Sequence, residues 1–242
     1  MLRVAVAGAL GKMGRVARTA LLQASGVTYV GGFARSRAPA DEIVDSLEEL
    51  FERKPDVLLD LTAHPSSVEI SLQAIAHGVR PVIGVSGWTA DERASLDAMA
   101  RERGLGAMIV PNFSIGAILM MRFAEMAARH FPSAEIIELH HDQKKDAPSG
   151  TSRATAERIV AAGGPATVPI HSVRMRGMLA HQEVLFGTDG EVLTIRHDSL
   201  SRESFVPGMI AAVKAVMDVR GLQIGLSLDF APDGATLGMT KK

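Results

Sequence analysis

A six-residue apolar run, followed at once by three glycines spaced three apart, constrains this chain more than any other feature. Residues 2–7 (LRVAVA) place valines at alternate positions and read as a strand buried on both faces. Gly8, Gly11 and Gly14 come next, and residues 12–24 carry a helical pattern. Strand, glycine turn and helix in that order make the opening unit of a dinucleotide-binding sheet. The turn must be tight, the backbone must approach a pyrophosphate closely, and the helix must lie near the strand. The helix N-terminus then offers N–H groups and a partial positive charge to phosphates. The spacing here is GxxGxxG rather than GxGxxG, so a tight turn kept only for packing is the competing reading.

The alternation continues. Residues 27–33, 57–61, 81–85 and 107–110 read as strands, and 41–53, 66–77 and 90–103 as helices. Right-handed crossovers between such strands give a parallel sheet. After Asn112 the rhythm changes. Helical patterns at 115–129 and 152–162 flank a strand at 136–140. Strand-like stretches at 170–174, 181–186 and 191–197 then follow without long helices between them, and 204–219 returns to helix. The expected fold is α/β, with an N-terminal Rossmann-like doubly wound parallel sheet and a second α+β domain built on a mixed or antiparallel sheet. The expected boundaries are residues 1–111 plus 219–242 for the dinucleotide-binding domain and 112–218 for the second. The tail is too short for its own core and is expected to pack back on the first domain.

Composition excludes several classes. Lys and Arg number 26 against 27 Asp and Glu, so the chain is neither a general nucleic-acid binder nor a polybasic membrane protein. It has no cysteine, which removes disulfides, thiolate metal sites and thiol nucleophiles. No apolar stretch approaches the roughly 18 residues that span a bilayer. Gly8 interrupts the N-terminal apolar run before a signal peptide could form, so a cytoplasmic location is expected.

An acidic residue at the tip of the second strand normally binds the adenosine ribose in NAD enzymes. Here the strand runs into Ala34-Arg35-Ser36-Arg37. Guanidinium groups and a hydroxyl suit a 2′-phosphate, which favours NADPH over NADH. Both arginines facing solvent is the alternative, and NADH use stays open.

The densest polar run is residues 138–151, ELHHDQKKDAPSGT. It leaves an apolar strand and ends at a helix start. Neighbouring side chains of a strand face opposite ways, so His140 and His141 share a site only if the strand ends at or between them. Ser149 or Thr151 can cap the helix, and free N–H groups at Gly150 and Thr151 can hold an anion. Lys144 adds a point charge, and a histidine exchanges a proton near neutral pH. The set suits a small dicarboxylate, although a solvated turn before a capped helix has the same composition. A metal at His140, His141 and Asp142 is disfavoured, because adjacent residues rarely chelate one ion and cationic neighbours oppose it.

Glu-x-His-His, then Lys144 and Asp-Ala-Pro-Ser-Gly-Thr, is very similar to the signature of the 4-hydroxy-tetrahydrodipicolinate (dihydrodipicolinate) reductase family. Val6 through Arg15, VIGVSG at 82–87 and PNFSIG at 111–116 resemble the family's cofactor loops in the same order. The resemblance spans essentially the whole chain and implies reduction of a cyclic imine dicarboxylate with NAD(P)H in lysine and diaminopimelate biosynthesis. Hydride adds to the carbon conjugated with the ring imine, and a proton reaches the adjacent carbon. By this resemblance Gly8, Ala9, Leu10, Gly11, Lys12 and Met13 hold the pyrophosphate, and Ala34 and Arg35 lie by the adenosine ribose. Gly84, Val85, Ser86, Val110, Pro111, Asn112 and Phe113 lie along the nicotinamide half. His140 is the acid–base residue and Lys144 a second proton donor. His141, Gly150 and Thr151, with Lys144, bind substrate carboxylates. The family habit implies a homotetramer. Ala34 departs from the acidic residue of many members, and Lys145 stands where an apolar residue is common and is expected to point to solvent.

His171, His181 and His197 are expected to share a polar sheet face with Arg174 and Arg196 at a subunit interface. Met120, Met121 and Met126 are expected in the core. Trp88 is either a lid residue or plain packing.

Overall fold

The computed structural model describes residues 1–38 and 42–227. In chain order the first half contains β1 (Leu2–Ala7), α1 (Lys12–Gln23), β2 (Val27–Phe33), β3 (Ile43–Val44), α2 (Leu47–Glu52), β4 (Val57–Asp60), α3 (Ser66–Ala76), β5 (Arg80–Ile83), α4 (Ala90–Glu102) and β6 (Gly106–Ile109). The second half contains α5 (Ile115–Ala128), β7 (Ser133–His140), α6 (Gly150–Ala161), β8 (Ile170–Arg174), β9 (Ala180–Thr188), β10 (Glu191–Ser199), α7 (Val206–Ala215) and β11 (Gly221–Ile224).

One sheet has the order β11-β6-β5-β4-β1-β2-β3, and every pairing in it is parallel. Its strands are apolar on both faces because helices cover both. Val4 and Val6 of β1 join the cluster formed with Ala17 and Leu21 of α1. Ala5 and Ala7 pack the other way, with Leu50 of α2 and Ile70 of α3. β1 lies between β2 and β4, so the strand order reverses there. In such sheets ligands sit outside the carboxyl ends of the strands at that switch point. The second sheet, β10-β9-β7-β8, pairs β7 with β8 parallel and β9 antiparallel to both of its neighbours. Its inner face, with Ile136, Val184 and Phe186, packs on α5 and α6.

Two element readings need correction. Residues 42–53 do not form one helix: Ile43 and Val44 make a two-residue edge strand beside Gly32 and Phe33. Only after Ser46, whose hydroxyl accepts from the Glu49 N–H, does α2 begin. Asp41, the expected first residue of that helix, lies outside the described residues. The last helix is also shorter than 204–219. A 3₁₀ turn, Arg202–Phe205, precedes it, and it ends at Ala215. The chain then returns to the first sheet as β11, paired with β6, as expected for the tail. Residues 228–242 of that tail lie outside the described residues.

Gly8 has φ +77° and opens the turn between β1 and α1. Gly14 lets α1 close on that turn, since a Cβ there would lie 2.2 Å from the Gly8 carbonyl oxygen and 2.8 Å from the Ala9 Cα. Gly14→Ala is therefore expected to cost about 1–3 kcal/mol of stability in urea denaturation and to weaken nucleotide binding. An unchanged urea midpoint would show that helix and turn separate freely.

Candidate active site

A cavity of about 260 Å³ lies where the carboxyl ends of the parallel strands meet the second unit. Met13, Leu61, Gly84, Pro111, Asn112 and Phe113 line it from the first unit and the crossing loop. Met120, His140, Ser149, Thr151, Gln182 and His197 are among those lining it from the second.

On the first side, the N-terminus of α1 has neither a capping side chain nor an acidic residue in its first turn. By contrast α2, α4, α5 and α6 are capped by Ser46, Thr89, Ser114 and Ser149. A pyrophosphate fits the uncapped turn, where Lys12 is exposed. Leu61 is held beside Gly8 by an Asx turn: buried Asp60 accepts from the Thr62 N–H at 2.9 Å, from the Thr62 hydroxyl and from Ser67. Burial pushes the Asp60 carboxyl up. At Gly84 a Cβ would lie 2.7 Å from the Phe113 ring, so the bare backbone is what lets that ring in. Val85 and Val110 are buried in the core, and Ser86 is exposed.

At the β2 tip, Ala34 is buried and Arg35 is exposed. Arg37 does not remain available for a phosphate. It donates to Asp45 at 2.8 and 3.2 Å and to Glu49 at 2.5 and 3.1 Å. The sequence distance of eight and twelve residues hid those two carboxylates.

On the second side, β7 ends at His140, which meets the condition for a shared histidine site. Glu138 and His140, two apart, face the same way. Glu138 is fully buried and accepts two bonds from the Arg174 guanidinium, at 2.9 and 2.7 Å. It also accepts from the Ser149 N–H at 3.2 Å and from His140 Nδ1. Burial pushes its carboxyl up, but bonds from Arg174, Ser172 and His140 outweigh that and hold it at about 2. Burial lowers His140 below the ordinary histidine value, Glu138 opposes this, and Lys144 and Arg174 lower it further. The result is a largely neutral imidazole whose Nδ1 is committed to a carboxylate and whose Nε2 is left over.

Ser149 is the cap of α6, accepting from the Ser152 N–H at 3.1 Å. Gly150 is exposed at the helix start, and Thr151 Oγ1 accepts from Asn112 Nδ2 at 3.3 Å across the cleft. Lys144 does not line the cavity. Its ammonium donates to both Asp146 oxygens at 2.8 Å. His141 sits half-buried just beyond the strand, also off the cavity wall, and Lys145 is exposed as expected.

The later histidines differ from the expected exposed sheet face. His171 fits it, bonding Glu135 at 2.8 Å in the open. His181 and His197 instead line the cavity. His181 is buried, bonds Asp198 through Nδ1 at 2.6 Å and accepts from the Leu179 N–H. His197 Nε2 bonds Ser114 Oγ at 3.0 Å, and a Cβ on Gly116 would strike its ring. Arg174 belongs to the Glu138 pair, and only Arg196 lies on the polar face, bonded to Glu183 and Asp198. Trp88 is packing, buried with Val85 and Leu96. Met120 and Met121 are core, but Met126 is exposed because it lies on the outer side of α5. Among the described residues no helix is long and apolar enough to cross a membrane.

Comparison with known proteins gives a consistent picture. Two family models match, dihydrodipicolinate reductase N-terminus over residues 2–113 and C-terminus over residues 116–226. The 4-hydroxy-tetrahydrodipicolinate reductase of Moorella thermoacetica is 41% identical, covering 93% of this chain and 96% of its own. That of Lactococcus lactis subsp. cremoris is 43% identical with the same coverage. The dipicolinate-bound dihydrodipicolinate reductase from Paenisporosarcina sp. TG-14 superposes with TM-score 0.83 at 38% identity, over 93% of this chain and 98% of its own.

The ionised Glu138 contributes stability that is complete above the ordinary carboxylate range and is lost as pH falls toward about 2. Urea midpoints are accordingly expected to drop between about pH 5 and pH 2, and less steeply in Glu138→Gln. Arg174→Met leaves the buried carboxylate uncompensated and is expected to cost about 3–5 kcal/mol at neutral pH. A Met variant as stable as the parent would refute that account of the pair.

Proposed function

We propose a division of labour on one premise: the chain belongs to the 4-hydroxy-tetrahydrodipicolinate reductase family. It reduces that ring dicarboxylate with a nicotinamide cofactor, a step of lysine and diaminopimelate biosynthesis. One observation carries the assignment of residues: a single cavity is lined by Gly84, Asn112 and Phe113 on one side and by His140 and Thr151 on the other.

The backbone from Gly8 to Met13 holds the pyrophosphate on the uncapped turn of α1. Arg35, exposed beside Ala34, binds the 2′-phosphate and makes NADPH the preferred cofactor. The nicotinamide half lies along Gly84 to Ser86 and Val110 to Phe113, and when bound it supplies the hydride. Gly150 and Thr151 present N–H groups at the start of α6 to one substrate carboxylate. His141 and Lys144 bind the carboxylates as well. Asp146 engages Lys144 as a substrate carboxylate would, so binding exchanges one carboxylate for the other. His140, held through Nδ1 by Glu138, moves the proton at Nε2, with Lys144 as the second donor. Cations around the diacid orient the ring and stabilise negative charge as it develops.

Residues 1–111 with 219–242 form the nucleotide-binding domain, and 112–218 the substrate-binding and oligomerisation domain. The second sheet keeps Ile137, Leu139, Val173 and Leu185 on the face opposite its helices, half-buried in a lone chain. That face supports assembly into a homotetramer. The absence of cysteine supports a cytoplasmic location.

His140→Gln and Lys144→Ala are each expected to cut turnover about a hundredfold or more in a nucleotide-absorbance assay, with nucleotide affinity near normal. Turnover like the parent's in either variant would remove the proposed role. Arg35→Ala is expected to weaken NADPH binding about tenfold or more and to leave NADH binding nearly unchanged. Equal losses for the two nucleotides would place the 2′-phosphate elsewhere.

A further inference from the structure

Gln182 lines the cavity from β9 and is 4% exposed. Its amide is oriented by a chain of bonds behind it. The Thr155 hydroxyl donates to the Thr151 carbonyl at 2.8 Å, so its oxygen can only accept from Gln182. It does so from Gln182 Nε2, at 2.8 Å. The nitrogen end is thereby fixed toward α6, and the oxygen is the end left for the cavity. Gln182 Oε1 is buried and has no hydrogen-bond partner among the described residues. An orphaned buried acceptor is costly, and native structures keep one where a ligand completes it.

The other groups at the proposed diacid site are cations and N–H donors, which match carboxylates. A desolvated acceptor does not, because it would repel a carboxylate oxygen. It matches a donor on the substrate, and a hydroxylated ring dicarboxylate carries one in its hydroxyl group. We propose that Gln182 is a specificity-determining residue whose Oε1 accepts a hydrogen bond from the ring hydroxyl of the substrate. A site built to bond a hydroxyl rejects the analogue without one, since the buried acceptor is then left unpaired.

This proposal rests on the reading of the cavity as the diacid site, and the test separates the two. Substrate reduction and inhibition by dipicolinate, a planar diacid with no ring hydroxyl, are measured for the parent and for Gln182→Met, which keeps length and loses the acceptor. The expected result is a fall in kcat/KM for the hydroxylated substrate of about ten- to a hundredfold, with dipicolinate inhibition unchanged or tighter. Parallel weakening of substrate and dipicolinate would make Gln182 a wall of the cavity only, and an unchanged kcat/KM would also overturn the proposal. Should the Met variant not fold, Thr155→Val frees the amide to turn, and the same shift in the ratio is expected. No shift in that variant overturns the proposal. A parent enzyme that fails to reduce the substrate sinks both readings, whereas a parent that reduces it with an unmoved ratio sinks only this one.

Discussion

The buried pair of Glu138 and Arg174 is the constraint on which the second half of the site depends. It joins three pieces of chain distant in sequence: the end of β7, the end of β8 and the cap of α6. Arg174 also donates to the Asp146 carbonyl at 2.7 Å, which pins the loop carrying Lys144. Taking two charges out of water is expensive, and a buried pair often adds little net stability over an apolar replacement. Here its effect is geometric. Glu138 has bonds to Arg174, Ser149 and His140, so the imidazole, the helix start and the loop cannot move independently.

The first half of the site depends on a different economy, that of close approach without side chains. Gly8 and Gly84 stand at the carboxyl ends of β1 and β5, with Leu61 and Phe113 filling the space that side chains there would take. The two halves meet through few polar contacts. Asn112 reaches Thr151, and Ser114 reaches His197. Asn112 also accepts from the Ser114 N–H at 2.8 Å, so one short segment faces both units and caps α5. That segment and the return from α7 to β11 are the chain crossings between the two sheets. A rotation that closes the cleft would be absorbed there.

How much of this was legible in the sequence depended on range. The glycine turn and strand–helix alternation are local, and they predicted the parallel sheet with its boundaries nearly intact. Ile43 and Val44 misled because a short apolar pair fits helix or edge strand equally; only the Ser46 cap, with Glu49 three residues on, marked the true start of α2. The run at 138–151 disclosed its chemistry because most of the site sits in one segment. Arg37 misled because its carboxylate partners arrive with the fold. His181 and His197 were misplaced for a related reason. Alternation along β9 and β10 gives opposite faces to successive residues, yet near the cavity both the inward His197 and the outward His181 are covered. Gln182 carried no signal at all, since its meaning comes from Thr155 and from the bond it lacks.

The pairing of Lys144 with Asp146 bears on how the proposed diacid is selected. A lysine already compensated by an internal carboxylate gains little Coulomb energy when another replaces it, because one ion pair is exchanged for a similar one. Net affinity must then come from groups that are unsatisfied beforehand: N–H groups at the start of α6, and the Gln182 oxygen. The charged loop is thus better suited to act late, when negative charge grows on the ring and the ammonium gains more from moving toward it than from staying on Asp146. An interaction that strengthens only as the reaction proceeds raises turnover, whereas one made equally in the bound state would only tighten binding. In that light Asp146 acts as a holder that keeps Lys144 near the cleft and gives it up when the charge inside becomes the stronger partner.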